Sequence, residues 1–274
     1  MQNSSQQTKN NPLASLMRQP KLHIKLPSKG QYWPKGSLTA NDEFPVYSMT
    51  AKDEIMLKNP NAMATGQAVV NVIQSCIPAI TNAWECPNLD MDTILIAIRI
   101  ATYGSTMKTS VTVDDITREV DVDLSLLLTQ LTDKISWTEQ IALDNGLIFY
   151  LKPLPYKTVI SAASESIETQ KIMNVVNDDK LTEDQKLSKF KDSFVKLTEV
   201  TLSVVADSIF QIDTANGSVT DQKFINEFMT QCDRDIFNTI KDQLDTLTKN
   251  NTIDTIKVDD IDVPVIFAPD TFFA

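Results

Sequence analysis

The chain has 274 residues, 42% hydrophobic and 22% charged, with a net charge of −11. Its length and composition suit one large or two smaller globular domains with a sizeable core. Three cysteines (Cys76, Cys86 and Cys232) predict reduced thiols rather than a disulfide framework, and the single histidine, His23, leaves little for histidine catalysis or zinc binding.

The apolar stretches are short and the charge is unevenly placed. The longest stretches, around Ile94–Ile98 and Gly146–Leu151, fall far short of the ~20 residues that span a bilayer, so we expect no membrane span. The opening residues lack the apolar core of a secretory signal. Residues 1–36 hold six of the 25 basic residues and none of the 36 acidic ones. The acidic remainder disfavours nucleic-acid binding, and the basic segment is either a docking arm for an anionic partner or a solvated tail.

The first part of the chain predicts a disordered basic arm and then short elements. Residues 1–20 are too polar to bury an apolar face. Lys21–Leu26 alternates like a half-buried strand that could pair with a second extended segment, Phe44–Met49. Thr50 is expected to cap a short helix that ends near Asn59-Pro60, with Asp53 at the third helical position.

Two longer helices and several strands follow. We expect helices over Thr65–Thr81, interrupted by Pro78, and over Met91–Tyr103, capped by Asp90 or Asp92 and followed by Gly104. The alternating segments Met107–Val113 and Glu119–Leu124 predict a hairpin, and a short helix is expected over Leu124–Leu131. A further pair of strands is expected over Thr138–Ile141 and Gly146–Leu151, with a turn at Asp144–Gly146.

The stretch between Pro155 and Pro264 has no proline and only one glycine, Gly217, which predicts mostly helix. Three long helices are expected: Tyr156–Val176, Thr182–Ile209 and Thr220–Leu247. The second carries a stripe of near-heptad spacing, Leu187, Phe190, Phe194 and Leu197. We expect this stripe to pack on the third helix as an antiparallel hairpin joined at Asn216-Gly217, the alternative being an intermolecular face. Strands over Thr252–Val258 and Val263–Phe267 close the chain.

Together these elements predict an α+β protein. Its parts are a basic arm (1–20), a mixed head domain of short β-hairpins and helices (21–155), a long antiparallel helical hairpin or bundle (156–250), and a C-terminal strand pair that rejoins the head (251–274).

The residues hold no recognisable catalytic set. There is no glycine-rich phosphate loop and no nucleophile elbow. The acid pairs Asp114-Asp115, Asp178-Asp179 and Asp259-Asp260 lie in predicted turns, and Cys232 lies on an apolar helix stripe. Arg99 interrupts an apolar helix, where it either pairs with an acid or snorkels to the surface. We therefore predict no enzymatic activity, no cofactor and no metal.

Several stretches in order carry a family resemblance. They are Leu26–Pro34 (LPSKGQYWP), Val46–Ile55 (VYSMTAKDEI), Asn59-Pro60, Val72–Cys76 (VIQSC), the acidic turn Leu89–Thr93, and Leu95–Gly104 (LIAIRIATYG). Over roughly residues 22–155 the chain resembles the small baseplate hub assembly protein family of T-even-type contractile-tailed bacteriophages, the myoviruses.

The resemblance implies a non-enzymatic role in building the tail baseplate hub. Partners would be other hub and tail proteins, with the tape-measure protein as a further candidate, and the location would be the virion tail after assembly in the host cytoplasm. The alternative is a transient chaperone of the tape-measure protein, absent from the mature virion. The candidate partner-binding residues are Lys29, Tyr32, Trp33, Phe272 and Phe273, although Trp33 could instead pack onto the head.

The same resemblance implies paired, zinc-ribbon-like cysteines in two segments. Here those segments read Val111–Asp115 and Lys257–Asp260, with no cysteine. If they form the two knuckles of a lost ribbon, we expect side-chain packing and turn hydrogen bonds to replace the metal.

Overall fold

A computed structural model describes residues 13, 17–40, 42–113, 116–134, 137, 140–175, 182–253, 255–258, 261–264 and 273. These residues form helices and several small antiparallel sheets, which confirms the predicted α+β class. The acid pairs at 114–115, 178–179 and 259–260 and the candidate residue Phe272 lie outside the described residues. None of the described helices is both long and apolar enough to cross a bilayer.

The predicted first hairpin and the helix after it are confirmed. Strands β1 (Leu22–Ile24) and β2 (Phe44–Val46) pair antiparallel. Helix α1 (Ala51–Leu57) begins with a capping box, because the Thr50 side chain accepts from the Asp53 backbone N–H and the Asp53 carboxylate accepts from the Thr50 N–H.

The next helices differ from the prediction at their ends. A short helix, α2 (Pro60–Ala64), was not predicted; the Asn59 side chain caps it and Pro60 occupies its first position. Helix α3 (Gln67–Cys76) ends before Pro78, and a 3-10 turn (Ala83–Glu85) follows. Helix α4 (Asn88–Tyr103) begins directly after Pro87. The predicted caps Asp90 and Asp92 are therefore wrong, since both residues lie inside the helix.

The strands form small sheets. Strands β3 (Thr106–Val113) and β4 (Ile116–Asp123) form the predicted hairpin, followed by helix α5 (Leu124–Lys134). A four-stranded antiparallel sheet runs β5-β6-β7-β8, with β5 at Gln140–Ala142, β6 at Ile148–Leu151, β7 at Ile209–Thr214 and β8 at Gly217–Val219. Asn216-Gly217 thus turns a β-hairpin and does not join two helices.

The long helices pair differently from the prediction. Helix α6 (Tyr156–Val175) packs along helix α7 (Glu183–Asp207), and the start of α6 lies beside the end of α7, where Thr158 Oγ1 donates to Asp207 at 3.4 Å. The third predicted helix is broken at Cys232-Asp233, whose backbone is extended, into α8 (Gln222–Gln231) and α9 (Arg234–Asn250). The antiparallel hairpin of α7 is therefore made with α6.

Two groups of buried apolar side chains hold the structure together. The first packs α3, α4 and α5 with β1–β4, and it includes Val263 and Phe273 from the end of the chain. The second packs the four-stranded sheet against α7, α8 and α9 around Phe149 and Ile240. The division of the chain into four segments stays a prediction.

The C-terminal strands return to the head. Strands β9 (Thr255–Val258) and β10 (Ile261–Pro264) pair antiparallel, and β9 contacts β4. The described parts of the two segments compared with zinc-ribbon knuckles thus lie in adjacent hairpins. Apolar side chains fill the space near them, namely Val111, Val122 and Val263, with Val120, Ile256, Val258 and Ile261 partly buried.

Candidate interaction surface

The most exposed apolar surface of the described residues lies on the first half of α7. We name it the α7 stripe and define it as Leu187, Phe190, Phe194 and Leu197, which are 53, 42, 63 and 39% exposed. The spacings of three, four and three residues place these side chains along one face of the helix. The prediction that the helix over Thr220–Leu247 covers this stripe is wrong, because the four side chains are exposed while α7 packs on α6 and, near its own end, on α8.

Helix α6 holds the adjacent face of α7. Ser193 is buried, and Val200 and Val204 line the space between α7 and the start of α6. Positions 193, 200 and 204 repeat with helical spacing and therefore form a second stripe. This second stripe lies next to the α7 stripe around the helix axis. One face of α7 is thus used inside the chain while the next remains open to solvent.

The α7 stripe leads into a groove of about 220 Å³. Leu197, Thr198, Thr201 and Leu202 of α7 and Phe237 of α9 line it. Its lining is mostly apolar, and Leu197 belongs to both the stripe and the groove. The apolar surface therefore continues from the free half of α7 to the point where α9 packs against it.

The segment of α7 that carries the stripe also carries charged side chains of both signs. Lys189, Lys191 and Lys196 are exposed on the same helical segment, and none of the three makes an ion pair with a described residue. Residues 183–199 carry four acidic and four basic side chains, so this segment has no net charge. The surface is thus defined by its exposed aromatic and aliphatic groups, which are typical of protein recognition.

Of the candidate partner-binding residues near the N-terminus, the structure buries one and exposes another. The indole Nε1–H of Trp33 donates to the Asp90 carboxylate at 2.7 Å, and the Ser28 hydroxyl and backbone N–H donate to the same carboxylate. This confirms that Trp33 packs onto the head. Lys29 is exposed with a positive φ of 52°, and Tyr32 is half-buried.

Asp90 is fully buried, and that burial raises the pKa of its carboxyl, while the hydrogen bonds from Ser28 and Trp33 oppose the shift. Two stretches that carried the family resemblance, Leu26–Pro34 and Leu89–Thr93, therefore meet at one carboxylate. Their shared role is to hold a loop on α4.

At the other end of the chain, Phe273 is also buried. It packs in the first core, and its backbone oxygen accepts from the Tyr103 hydroxyl at 3.4 Å. Its side chain therefore belongs to the core of the head.

Arg18 lies in the segment predicted to be a disordered arm, yet it is held against the head. Its guanidinium donates to the backbone oxygens of Ser48 and Ser75, both at 2.6 Å, and lies 3.9 Å from the buried Asp53 carboxylate. The low apolar content of residues 1–20 could not reveal this contact, because it is made by one charged side chain. Residues 1–12 and 14–16 lie outside the described residues.

The reactive groups of the described residues are held apart or buried. No three His, Cys, Asp or Glu side chains in the described part of the chain are grouped to hold a metal ion. Burial, with Asp53 nearby, raises the pKa of Cys76 to about 12, and burial raises that of Cys86 as well, so both thiols stay protonated. The Arg99 guanidinium lies 5.4 Å from the centre of the Tyr103 ring.

One carboxylate lines a cleft between the two cores. Asp92 of α4, with Trp137, Leu154 and Leu244 among its neighbours, lines a cavity of about 270 Å³. Burial raises the pKa of Asp92 to about 6. Among the described residues that line this cavity no second acid accompanies Asp92, so they form no catalytic pair of carboxylates.

Comparison with known proteins agrees with the resemblance. The family model described as "T4 bacteriophage base plate protein" matches residues 17–274, nearly the whole chain. No curated protein and no solved structure matches the chain. The match spans the head, the long helices and the C-terminal hairpin alike. The chain therefore belongs to the family of T4 bacteriophage base plate proteins.

Proposed function

We propose that the protein is a non-enzymatic structural component of the baseplate hub of a contractile phage tail, built into the virion through protein–protein contacts after assembly in the host cytoplasm. Membership of the base plate family supports the baseplate location. The α7 stripe is the observation that supports a role in protein–protein contacts, because its two phenylalanines and two leucines are exposed to solvent.

Exposure of this kind is costly unless a partner covers it. Burying a fully exposed side chain of this kind is worth roughly 1.5–3 kcal/mol, and these four side chains, each 39–63% exposed, can together supply a substantial part of that gain at the centre of an interface. Isolated apolar side chains on a surface are ordinary, whereas a row along one helix that continues into a groove marks an interaction site. The partners would be other hub and tail proteins.

Lys29 and Tyr32 are proposed as a second contact region on the head. They lie in the loop that Asp90 holds through Ser28 and Trp33, which gives the loop a defined shape. Trp33 contributes by anchoring this loop, and the Phe273 side chain is likewise buried in the head.

A second candidate function uses the same surface. The near-heptad spacing of the α7 stripe also suits a long helical client, as a transient chaperone of the tape-measure protein would need. The two functions differ in where the protein ends up, since a structural component remains in the mature particle and a chaperone leaves it.

Mass spectrometry of purified virions tests the proposal. We expect the protein in virions at a fixed ratio to the other baseplate proteins. Its presence in infected-cell lysate together with its absence from virions would overturn the structural role and favour the chaperone.

A variant pair then tests the surface itself. We expect the double variant Phe190→Ala/Phe194→Ala to fold normally but to be lost from virions. Phe224→Ala is the matched control, because Phe224 on α8 is 57% exposed and lies outside the stripe. Normal incorporation of the double variant would remove the α7 stripe from the proposal.

A further inference from the structure

We propose that the cavity beside Asp92 is a binding site for an organic cation, an ammonium or guanidinium group on a short alkyl chain, with the Asp92 carboxylate as its counter-charge. The cavity lies between the two cores and is separate from the α7 stripe. Three features point to this ligand: a carboxylate without a partner, acceptors on the opposite wall, and apolar walls that enclose a small volume.

The Asp92 carboxylate is largely removed from solvent, yet it forms no hydrogen bond or ion pair with a described residue. Asp90, two residues earlier on the same helix, accepts three hydrogen bonds from Ser28 and Trp33. A buried carboxylate costs free energy unless donors or a positive charge reach it, and an unpaired one in a cleft is typical of a functional site. Its pKa of about 6 leaves Asp92 ionised at neutral pH, when it faces the cavity.

The opposite wall supplies hydrogen-bond acceptors. The Thr248 hydroxyl donates to the Leu244 backbone oxygen at 2.8 Å, and the Thr252 hydroxyl donates to the Thr248 backbone oxygen at 2.6 Å. Both hydroxyl protons are therefore used within the end of α9, and the hydroxyl oxygens can only accept from a ligand. A ligand in this cavity has to bring donors of its own.

The electrostatics of the cavity favour a cation. Thr248 and Thr252 lie at the C-terminal end of α9, where the helix carries partial negative charge. No basic side chain lines the described part of the cavity, and Lys249 in the same turn is exposed to solvent. Asp92 and the end of α9 thus place negative charge on two sides of one cavity.

The size and the walls select an organic cation over a metal ion. The volume of about 270 Å³ lies below the roughly 300–1,000 Å³ of pockets for drug-sized ligands, so it suits one short chain. Trp137, Leu154 and Leu244 give it apolar walls for an alkyl stem, and an aromatic ring also attracts a cation. Calcium or magnesium requires several oxygen ligands, whereas Asp92 is the only carboxylate in the described lining.

Four small molecules with the same alkyl chain can serve as probes at neutral pH and constant ionic strength. They are n-butylammonium, n-butylguanidinium, the neutral butan-1-ol and the anion butyrate. The indole N–H signal of Trp137 in a proton–nitrogen NMR spectrum reports on the cavity, and Trp137→Phe assigns it. Both cations should shift this signal saturably with a Kd on the order of 1 mM, whereas the alcohol and the anion should bind at least about tenfold more weakly.

Two variants test the two sides of the cavity. Asp92→Asn should weaken binding of the cations at least about tenfold, with Asp121→Asn at an exposed aspartate as its control. Thr248→Phe should block the cavity at its exposed edge. Thr246→Phe is the matched control, because Thr246 is exposed on the same helix, does not line the cavity, and donates to the carbonyl four residues earlier as Thr248 does.

Three results would overturn the proposal: no saturable shift with either cation, equal affinity for the alcohol, or unchanged binding of the cations by Asp92→Asn. Loss of binding in Asp92→Asn would not reflect unfolding, because removing an uncompensated buried charge should stabilise the chain. Urea denaturation of the same samples checks this.

Native mass spectrometry of the chain isolated from infected cells distinguishes two sources of the cation. A bound small amine that is missing from Asp92→Asn identifies a free cation. An empty chain, together with a baseplate protein that no longer binds Asp92→Asn, identifies a lysine or arginine side chain of that protein. A chain with neither would overturn the site, while the presence of the chain in virions would still support the structural role.

Discussion

Asp90 joins two distant stretches of the chain through one carboxylate. It accepts hydrogen bonds from the Ser28 backbone, the Ser28 hydroxyl and the Trp33 indole, 57 to 62 residues away in sequence. A buried carboxylate is stable only when donors surround it, and each donor depends equally on the carboxylate. The loop from Ser28 to Trp33 is therefore tied to α4 by polar contacts as much as by packing.

Replacing this carboxylate should be severe. We expect Asp90→Ala to lower the free energy of unfolding by about 3 kcal/mol or more, because it leaves several buried donors without an acceptor. Urea denaturation measures the change, and Asp121→Ala, at an exposed aspartate, should stay within about 0.5 kcal/mol of the unmodified chain. Equal stability of the two variants would contradict the role given to Asp90.

Removing the charge of Asp92 should stabilise the protein at neutral pH, which is the opposite of the effect expected for Asp90→Ala. Burial raises the pKa of Asp92 from 3.8 to about 6, so the folded protein holds this proton more tightly than the unfolded chain does. Ionisation then costs stability as the pH rises through this interval, and the full cost is present above it. We expect Asp92→Asn to raise the free energy of unfolding by about 1–2 kcal/mol at pH 8, a value reduced for partial exposure to solvent.

At low pH the advantage of Asp92→Asn should disappear, because the carboxyl is then protonated in both states. Urea denaturation of both proteins at pH 8 and near pH 3, below both pKa values, measures this, with Asp121→Asn as an exposed control. A gain that is as large at low pH as at high pH would show that the cause is something other than ionisation.

At the scale of elements, α7 is the helix whose faces have different roles. One face packs on α6, the end of the helix enters the second core, and the α7 stripe remains in water. The stability of the monomer should therefore depend little on the stripe.

Two phenylalanine variants test this division. We expect Phe194→Ala to change the free energy of unfolding by no more than about 0.5 kcal/mol, because the side chain is already exposed. Phe149→Ala is the matched comparison in the second core, where the ring is fully buried, and it should cost about 3–5 kcal/mol. Thermal and urea denaturation measure both; a large loss in Phe194→Ala would mean that the stripe is covered within the chain.

The sequence identified most elements but not all of their partners. Alternation predicted the β3–β4 hairpin and helical spacing predicted α4 and α7, because local backbone preferences and one-sided burial leave a periodic pattern. The same pattern indicates that the α7 stripe packs against another surface, but it does not indicate which helix provides that surface. The break at Cys232-Asp233 escaped prediction because neither residue is a strong helix breaker.

The site was harder to predict than the fold. Phe190 and Phe194 were identified as an apolar stripe, but burial is a property of the packed chain and only the structure shows that they are exposed. Trp33 illustrates the reverse case, since an aromatic residue beside lysines suggests a surface role until its indole is seen to donate to Asp90.

At the scale of the whole molecule, two hairpins distant in sequence share one core. Strands β3–β4 and β9–β10 pack around Val122 and Val263, which are fully buried. Apolar packing thus occupies the place where the resemblance implied paired cysteines.

This arrangement should not depend on metal. We expect no stoichiometric zinc by elemental analysis and no change in melting temperature with a chelator, whereas Val263→Ala should lower the free energy of unfolding by about 2 kcal/mol. A tightly bound zinc, or unfolding by the chelator, would contradict this account of the two hairpins.

The position of Val263 and Phe273 in the head core also affects the order in which parts of the protein can fold during translation. Most of the other members of that core lie before residue 132, so the ribosome completes them well before it reaches these two. Until residue 263 has left the exit tunnel, the nascent head exposes the apolar surface that Val263 will cover, and contacts across so long a sequence form slowly. A ribosome stalled at residue 250 would therefore hold a head that is still open on the side of the β3–β4 hairpin, while the α7 stripe on the same nascent chain is already available to a partner.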